Sequence, residues 1–177
     1  NVTFKYENIE KIEADNNYAK IKTEKGNYLA EFIFNSTPIF NPKMDSSNSL
    51  LQHFEGWVIR TNKATFNSEI GTLMDFSLSQ KHGTTFMYVL PTSAHEALIE
   101  YTLFTEKLLD KKEYKVELER YIKEDLKIDD YEILHEEFGI IPMSLAKFSR
   151  NPNTEKRIVN IGTAGGFTKA SSGYTFQ

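Results

Sequence analysis

Glu100 stands within Leu98-Ile99-Glu100-Tyr101-Thr102, a run of strand-like composition. If residues 97–104 are extended, Leu98, Glu100, Thr102 and Phe104 share one face. A carboxyl group set between Leu98 and Phe104 loses water, which raises its pKa and keeps it protonated. Such a carboxyl is a usable proton donor near neutral pH. On pattern alone the ordinary reading, a solvent-facing Glu on a half-buried strand, outweighs the chemical one. A second feature is Asn160-Ile161-Gly162-Thr163-Ala164-Gly165-Gly166-Phe167, a strand running into a glycine-rich turn. Glycine has no Cβ, so backbone amides there can approach a phosphate or a flat ring. The run is neither GxGxxG nor a P-loop, and a simple tight turn reads equally well.

Other chemistries find little support. His53, His82, His95 and His135 share no metal-ligand spacing such as HxH or HExxH, so no metal site is expected. No GxSxG elbow is present. The absence of cysteine removes thiol catalysis, disulfides and Cys-containing zinc sites together. A net charge of −4 gives no overall basic field for nucleic acid. Apolar runs such as residues 86–90 fall far below the roughly 20 residues of a membrane helix.

The elements that must position these residues read as an α+β fold. At 177 residues the chain is about one domain, on a prior of roughly 150 residues each. Val2, Phe4 and Tyr6 alternate, Ile9 and Ile12 follow, and residues 18–23 lead to a turn at Glu24-Lys25-Gly26-Asn27, which predicts a β-meander. Leu29, Phe32, Ile33 and Phe34 predict a strand over 28–34 buried on both faces. Residues 35–49, with Pro38 and Pro42, read as a loop and a domain boundary. Strands are expected over 50–61 and 73–78, and a long hairpin over 84–90 and 97–104. A helix is expected over 110–126, with Asp110 and Glu113 at capping-box spacing and Tyr114, Leu118, Tyr121 and Ile122 as its apolar stripe. Residues 131–143 read as extended, and 158–161 as a short strand. The chain begins at Asn1 inside a strand-like pattern and stops in a loop, so both ends read as cuts through a longer protein.

Taken together, the segments resemble the lycopene cyclase family of flavin-dependent carotenoid cyclases. The resemblance lies in the order Gly56-Trp57-Val58-Ile59, Leu73-Met74-Asp75-Phe76, Phe86-Met87-Tyr88-Val89-Leu90-Pro91, Leu98-Ile99-Glu100-Tyr101-Thr102, Gly139-Ile140-Ile141-Pro142, and residues 162–167 with Ser172-Gly173-Tyr174. Asp75 falls on the family's Met-Asp motif. Glu100 falls on the acidic residue regarded there as the catalytic acid/base. Tyr101 stands where the family usually has a second acidic residue. Thr168-Lys169-Ala170-Ser171-Ser172 stands where many relatives carry His-Pro-Thr-Thr.

The resemblance implies three parts: residues 1–36 as the meander of an FAD domain, 50–157 as an inserted substrate domain of antiparallel sheet backed by helices, and 158–177 as a return segment of the FAD domain. The family's GxGxxG fingerprint is absent, so the first nucleotide-binding half is expected to lie outside the chain. The implied reaction, in carotenoid biosynthesis, is a non-redox isomerisation that closes β-rings on the ends of lycopene. Glu100 would be the acid, with Asp75, Tyr88, Tyr101 and Phe104 supporting it or binding substrate. Gly162, Gly165, Gly166 and Gly173 would face the cofactor, reduced FAD maintained by NAD(P)H. A cytoplasmic, peripherally membrane-associated protein is expected, and the 177-residue chain alone is expected to be inactive and to hold no FAD tightly. Two other readings stay open: a flavin-dependent isoprenoid reductase of the geranylgeranyl type, and a lipid- or carotenoid-binding module.

Overall fold

The computed structural model describes residues 2–175, in which ten strands and one α-helix form two compact units, Asn1–Asn48 with Ser144–Gln177, and Ser49–Met143. In the first unit, β1 (Ile9–Ala14), β2 (Ala19–Thr23) and β3 (Asn27–Ala30) form an antiparallel meander. Its first turn is set by Asp15, whose carboxylate accepts the N–H groups of Asn17 at 2.7 Å and Tyr18 at 3.0 Å. β4 (Ile33–Asn35) pairs in parallel with β10 (Ile158–Asn160), and the buried Asn35 amide donates to Asn160 Oδ1 at 2.8 Å. Ile12, Ala19, Ile33 and Ile158 make a small core.

Two expectations for this unit are corrected. The alternating Val2, Phe4 and Tyr6 lie outside the meander and are 82%, 79% and 88% exposed. Without a partner strand, alternation cannot by itself make a sheet; the segment is tied instead by Glu7, which accepts from Thr23 and Tyr28. The single buried strand expected over 28–34 is broken into β3 and β4. Leu29, Phe32 and Phe34 are exposed; within β4 the two-residue period turns Ile33 and Asn35 inward and Phe34 outward.

The second unit is a five-stranded sheet in the order β6-β7-β8-β5-β9, formed by β5 (Ser49–Arg60), β6 (Thr72–Asp75), β7 (Thr84–Pro91), β8 (Glu96–Thr105) and β9 (Glu132–Ser144). β8 pairs antiparallel with β5 on one side and β7 on the other. One face of the sheet is covered by α1 (Lys111–Glu124). The Glu113 carboxylate accepts the Asp110 N–H at 3.0 Å and so caps the helix. Tyr114, Leu118, Tyr121 and Ile122 then bury against Trp57, Ile59, Met87, Ile99, Tyr101 and Leu103. Among the described residues α1 is the one α-helix, where helices in the plural were expected.

The second unit stops at Met143, short of the expected Arg157. Residues 144–157 join the flanking unit through hydrogen bonds: Leu145 N–H to the Asn48 carbonyl at 2.9 Å, and Asn160 N–H to the Arg150 carbonyl at 2.8 Å.

Candidate active site

β8 is the middle strand of its sheet, so each of its faces is walled by two neighbours. On the face opposite α1, strand alternation places Leu98, Glu100, Thr102 and Phe104. Register fixes what flanks them: Glu100 lies opposite Tyr88 on β7 and Gly56 on β5, and Thr102 lies opposite Phe86 and Phe54. Phe86 is fully buried and stands edge-on to Tyr88 and Phe104, with ring centroids 5.4 and 5.3 Å apart. Phe76 joins the cluster at 5.3 Å. Glu100 is thus a half-buried carboxyl beside a group of aromatic rings.

Burial pushes the Glu100 carboxyl above the ordinary glutamate range. The Thr102 hydroxyl donates to Glu100 Oε1 at 2.9 Å and opposes that shift. The Glu137 carboxyl on β9, close by, adds to it. Glu137 reaches over β5 at Gly56, where a Cβ would stand 3.1 Å from its Oε1. Sequence reading missed Glu137, since nothing local links position 137 to position 100; the available signal was a glycine in the middle of a long strand.

Of the residues expected beside Glu100, Tyr88 and Phe104 share its face. Tyr101 does not, because the two-residue period turns it into the core beneath α1, where it is 3% exposed and burial pushes its hydroxyl up to about 12. Asp75 is also elsewhere. Its Oδ2 accepts the hydroxyl of Tyr121 from α1 at 2.7 Å, and this bond holds the carboxyl below its usual range. Both serve the helix side of the sheet, so neither supports Glu100 directly.

The glycine-rich turn lies in the other unit. Residues Gly162–Gly165 form a short 3-10 turn, and Gly162, Gly166 and Gly173 have φ of 55°, 76° and 72°. A Cβ on Gly166 would strike Phe148, and one on Gly165 would strike the Asn160 carbonyl, so packing within the turn accounts for both. Gly162 has nothing within 4 Å of that position, and its carbonyl accepts the Phe167 N–H at 3.2 Å within the turn. Among the described residues no cluster of His, Asp and Glu could hold a metal ion. None of the helices among them is long and apolar enough to cross a membrane.

Several solved structures share the fold. A geranylgeranyl bacteriochlorophyll reductase-like protein of Thermoplasma acidophilum superposes with a TM-score of 0.65 at 14% identity, over 94% of this chain and 43% of its own. HpxO of Klebsiella pneumoniae, complexed with FAD and uric acid, gives 0.52 at 12% identity, over 90% of this chain and 42% of its own. The tetracycline destructase Tet(51) gives 0.51 at 13% identity, over 90% and 46%. The chain therefore spans less than half the length of each. No curated protein matches the sequence. The family described as lycopene cyclase protein matches residues 1–177, the whole chain. The chain belongs to the lycopene cyclase family.

Proposed function

We propose that the protein cyclises the end groups of lycopene to β-rings, with Glu100 as the acid. The observation that carries this reading is the Glu100 carboxyl, raised above its ordinary range by burial on a face that also carries Phe86, Tyr88 and Phe104. A protonated Glu100 gives its proton to the terminal double bond of the polyene. The resulting cation is attacked by the next double bond and closes a six-membered ring. Loss of a proton from the ring then restores neutrality, with no net redox change. The ring faces of the aromatic cluster stabilise positive charge during closure. The Thr102 hydroxyl fixes the carboxyl in place through Oε1.

FAD and NAD(P)H enter this proposal through the family, and FAD also through a neighbour of like fold complexed with it. The described residues do not complete an FAD cradle. Pyrophosphate binding uses a helix N-terminus after a strand and a glycine turn. α1 is instead entered from β8 through residues 106–110, which hold no glycine. No step is assigned to the flavin, and the 177 residues alone are expected to be inactive and to bind FAD weakly.

The substrate is an apolar polyene that resides in membranes, so we place the protein at the cytoplasmic membrane surface, held by an apolar entrance. The test is Glu100→Gln in the full-length protein, supplied with lycopene and reduced flavin. Cyclisation should be abolished with fold and flavin binding intact. Retention of more than a few per cent of turnover overturns the assignment. The reductase-like neighbour favours a second reading, hydride addition to an isoprenoid chain. That reaction adds two hydrogens to the product, whereas cyclisation leaves its mass unchanged.

A further inference from the structure

Gly56 lies between the strand that carries Glu100 and the strand that carries Glu137. It lies directly opposite Glu100 in the β5–β8 register, and β9, which carries Glu137, lies on the other side of β5. A Cβ at position 56 would stand 3.1 Å from both Glu137 Oε1 and Leu98 Cδ1, so the missing side chain is what lets Glu137 cross the strand. A second acid at position 101 could not do this, because Tyr101 points to the helix face. A carboxyl partner for Glu100 must come from a neighbouring strand.

Resting on the reading of Glu100 as the acid, we propose that Glu137 is its positioning carboxylate, sharing one proton with Glu100 across Gly56. Two neighbouring carboxyl groups ionise less readily together than apart, which favours a single proton held between them. Glu100 passes that proton to the polyene, leaving two carboxylates facing the cation. The proton released from the ring returns to the pair, which closes the cycle without another reactant. No cation dissolves the arrangement on this face. Arg60 is held by Glu96 at 2.7 Å, and Lys115 serves Glu136 at 2.8 Å and Glu55 on the helix face. The remaining titratable groups facing the pair are Tyr88 on β7 and, two residues from Glu137 on β9, the exposed His135.

The experiment follows the carbon-13 titration of glutamate carboxyls in the full-length protein, with Glu100 assigned by its loss in Glu100→Gln. The Glu100 midpoint should lie above the ordinary range and fall by about 1 pH unit in Glu137→Gln. The alkaline limb of kcat should move down with it, while KM for lycopene stays in place. Glu137→Asp keeps the charge and should keep both near wild type. Gly56→Ala crowds Glu137 Oε1 and Leu98 Cδ1 alike and should move the midpoint the same way by a smaller amount, which serves as the test if Glu137→Gln folds poorly. An unchanged Glu100 midpoint in Glu137→Gln or Gly56→Ala overturns the proposal. A shifted midpoint in a protein that does not cyclise lycopene upholds the pair and overturns the cyclase reading instead.

Discussion

The ring of Phe54 lies over the backbone of Gly139, where a Cβ would overlap its Cζ, Cε1 and Cε2 atoms. Phe54 is on β5 and Gly139 on β9, so this is the mirror of Glu137 crossing at Gly56. Each strand supplies one glycine and one side chain that passes over its neighbour. Both crossings occur on the face that carries Glu100.

Gly139→Ala should therefore be costly in a way that depends on Phe54. An aromatic ring cannot fold aside as a flexible chain can, and overpacking of this kind costs about 1–3 kcal/mol. In a Phe54→Ala background the same methyl group has room, and its cost should fall close to zero. Urea melts of the four proteins in the cycle measure this. Equal penalties in both backgrounds would show that Phe54 is not what excludes a side chain at 139.

Stability should respond to Glu100 in the opposite direction to activity. A carboxyl whose folded pKa is raised contributes most below its unfolded pKa, and that contribution is lost as pH rises through the folded value. Glutamine is a neutral isostere that never loses it. Melting midpoints of Glu100→Gln and wild type should thus coincide below about pH 4, the ordinary glutamate range, and separate in favour of the variant as pH rises. A variant that is less stable than wild type at pH 8 would mean that Glu100 is ionised and satisfied in the native state.

The β7–β8 hairpin and α1 were legible in the sequence because each carries its own signal. The hairpin has alternation on both arms, and the helix has a capping pair and an apolar stripe at i, i+4, i+7 and i+8. The face shared by Glu100 and Phe104 followed from the same alternation, and that rule also sends Tyr101 to the opposite side. What the sequence hid is non-local. Leu29, Phe32 and Phe34 read as a buried strand because apolar runs do not say which partner will cover them, and Asn35 and Asn160 meet only through the parallel pairing of β4 with β10. Glu137 belongs to this class, since its position relative to Glu100 is set by sheet order.

His53 makes the last prediction. It is fully buried on the helix face, with Nδ1 2.7 Å from the Tyr114 hydroxyl and Nε2 2.7 Å from Thr105 Oγ1. Thr105 donates its own proton to the Lys107 carbonyl, so it must accept from Nε2–H. Nδ1 is then the bare nitrogen, and Tyr114 donates to it. A second proton on the ring would break the bond to Tyr114 and charge a buried group, and burial pulls the pKa down to about 4. An unfolded histidine titrates near 6.5, so the unfolded chain binds the extra proton first. The stability that His53 provides is complete above about pH 6.5 and drains away as pH falls towards 4. Melting midpoints should decline across that window in wild type, and the decline should be shallower in His53→Gln, whose side chain does not titrate. Parallel slopes in the two proteins would show that His53 takes up no proton on unfolding there, and would place the acid lability in the carboxylates instead.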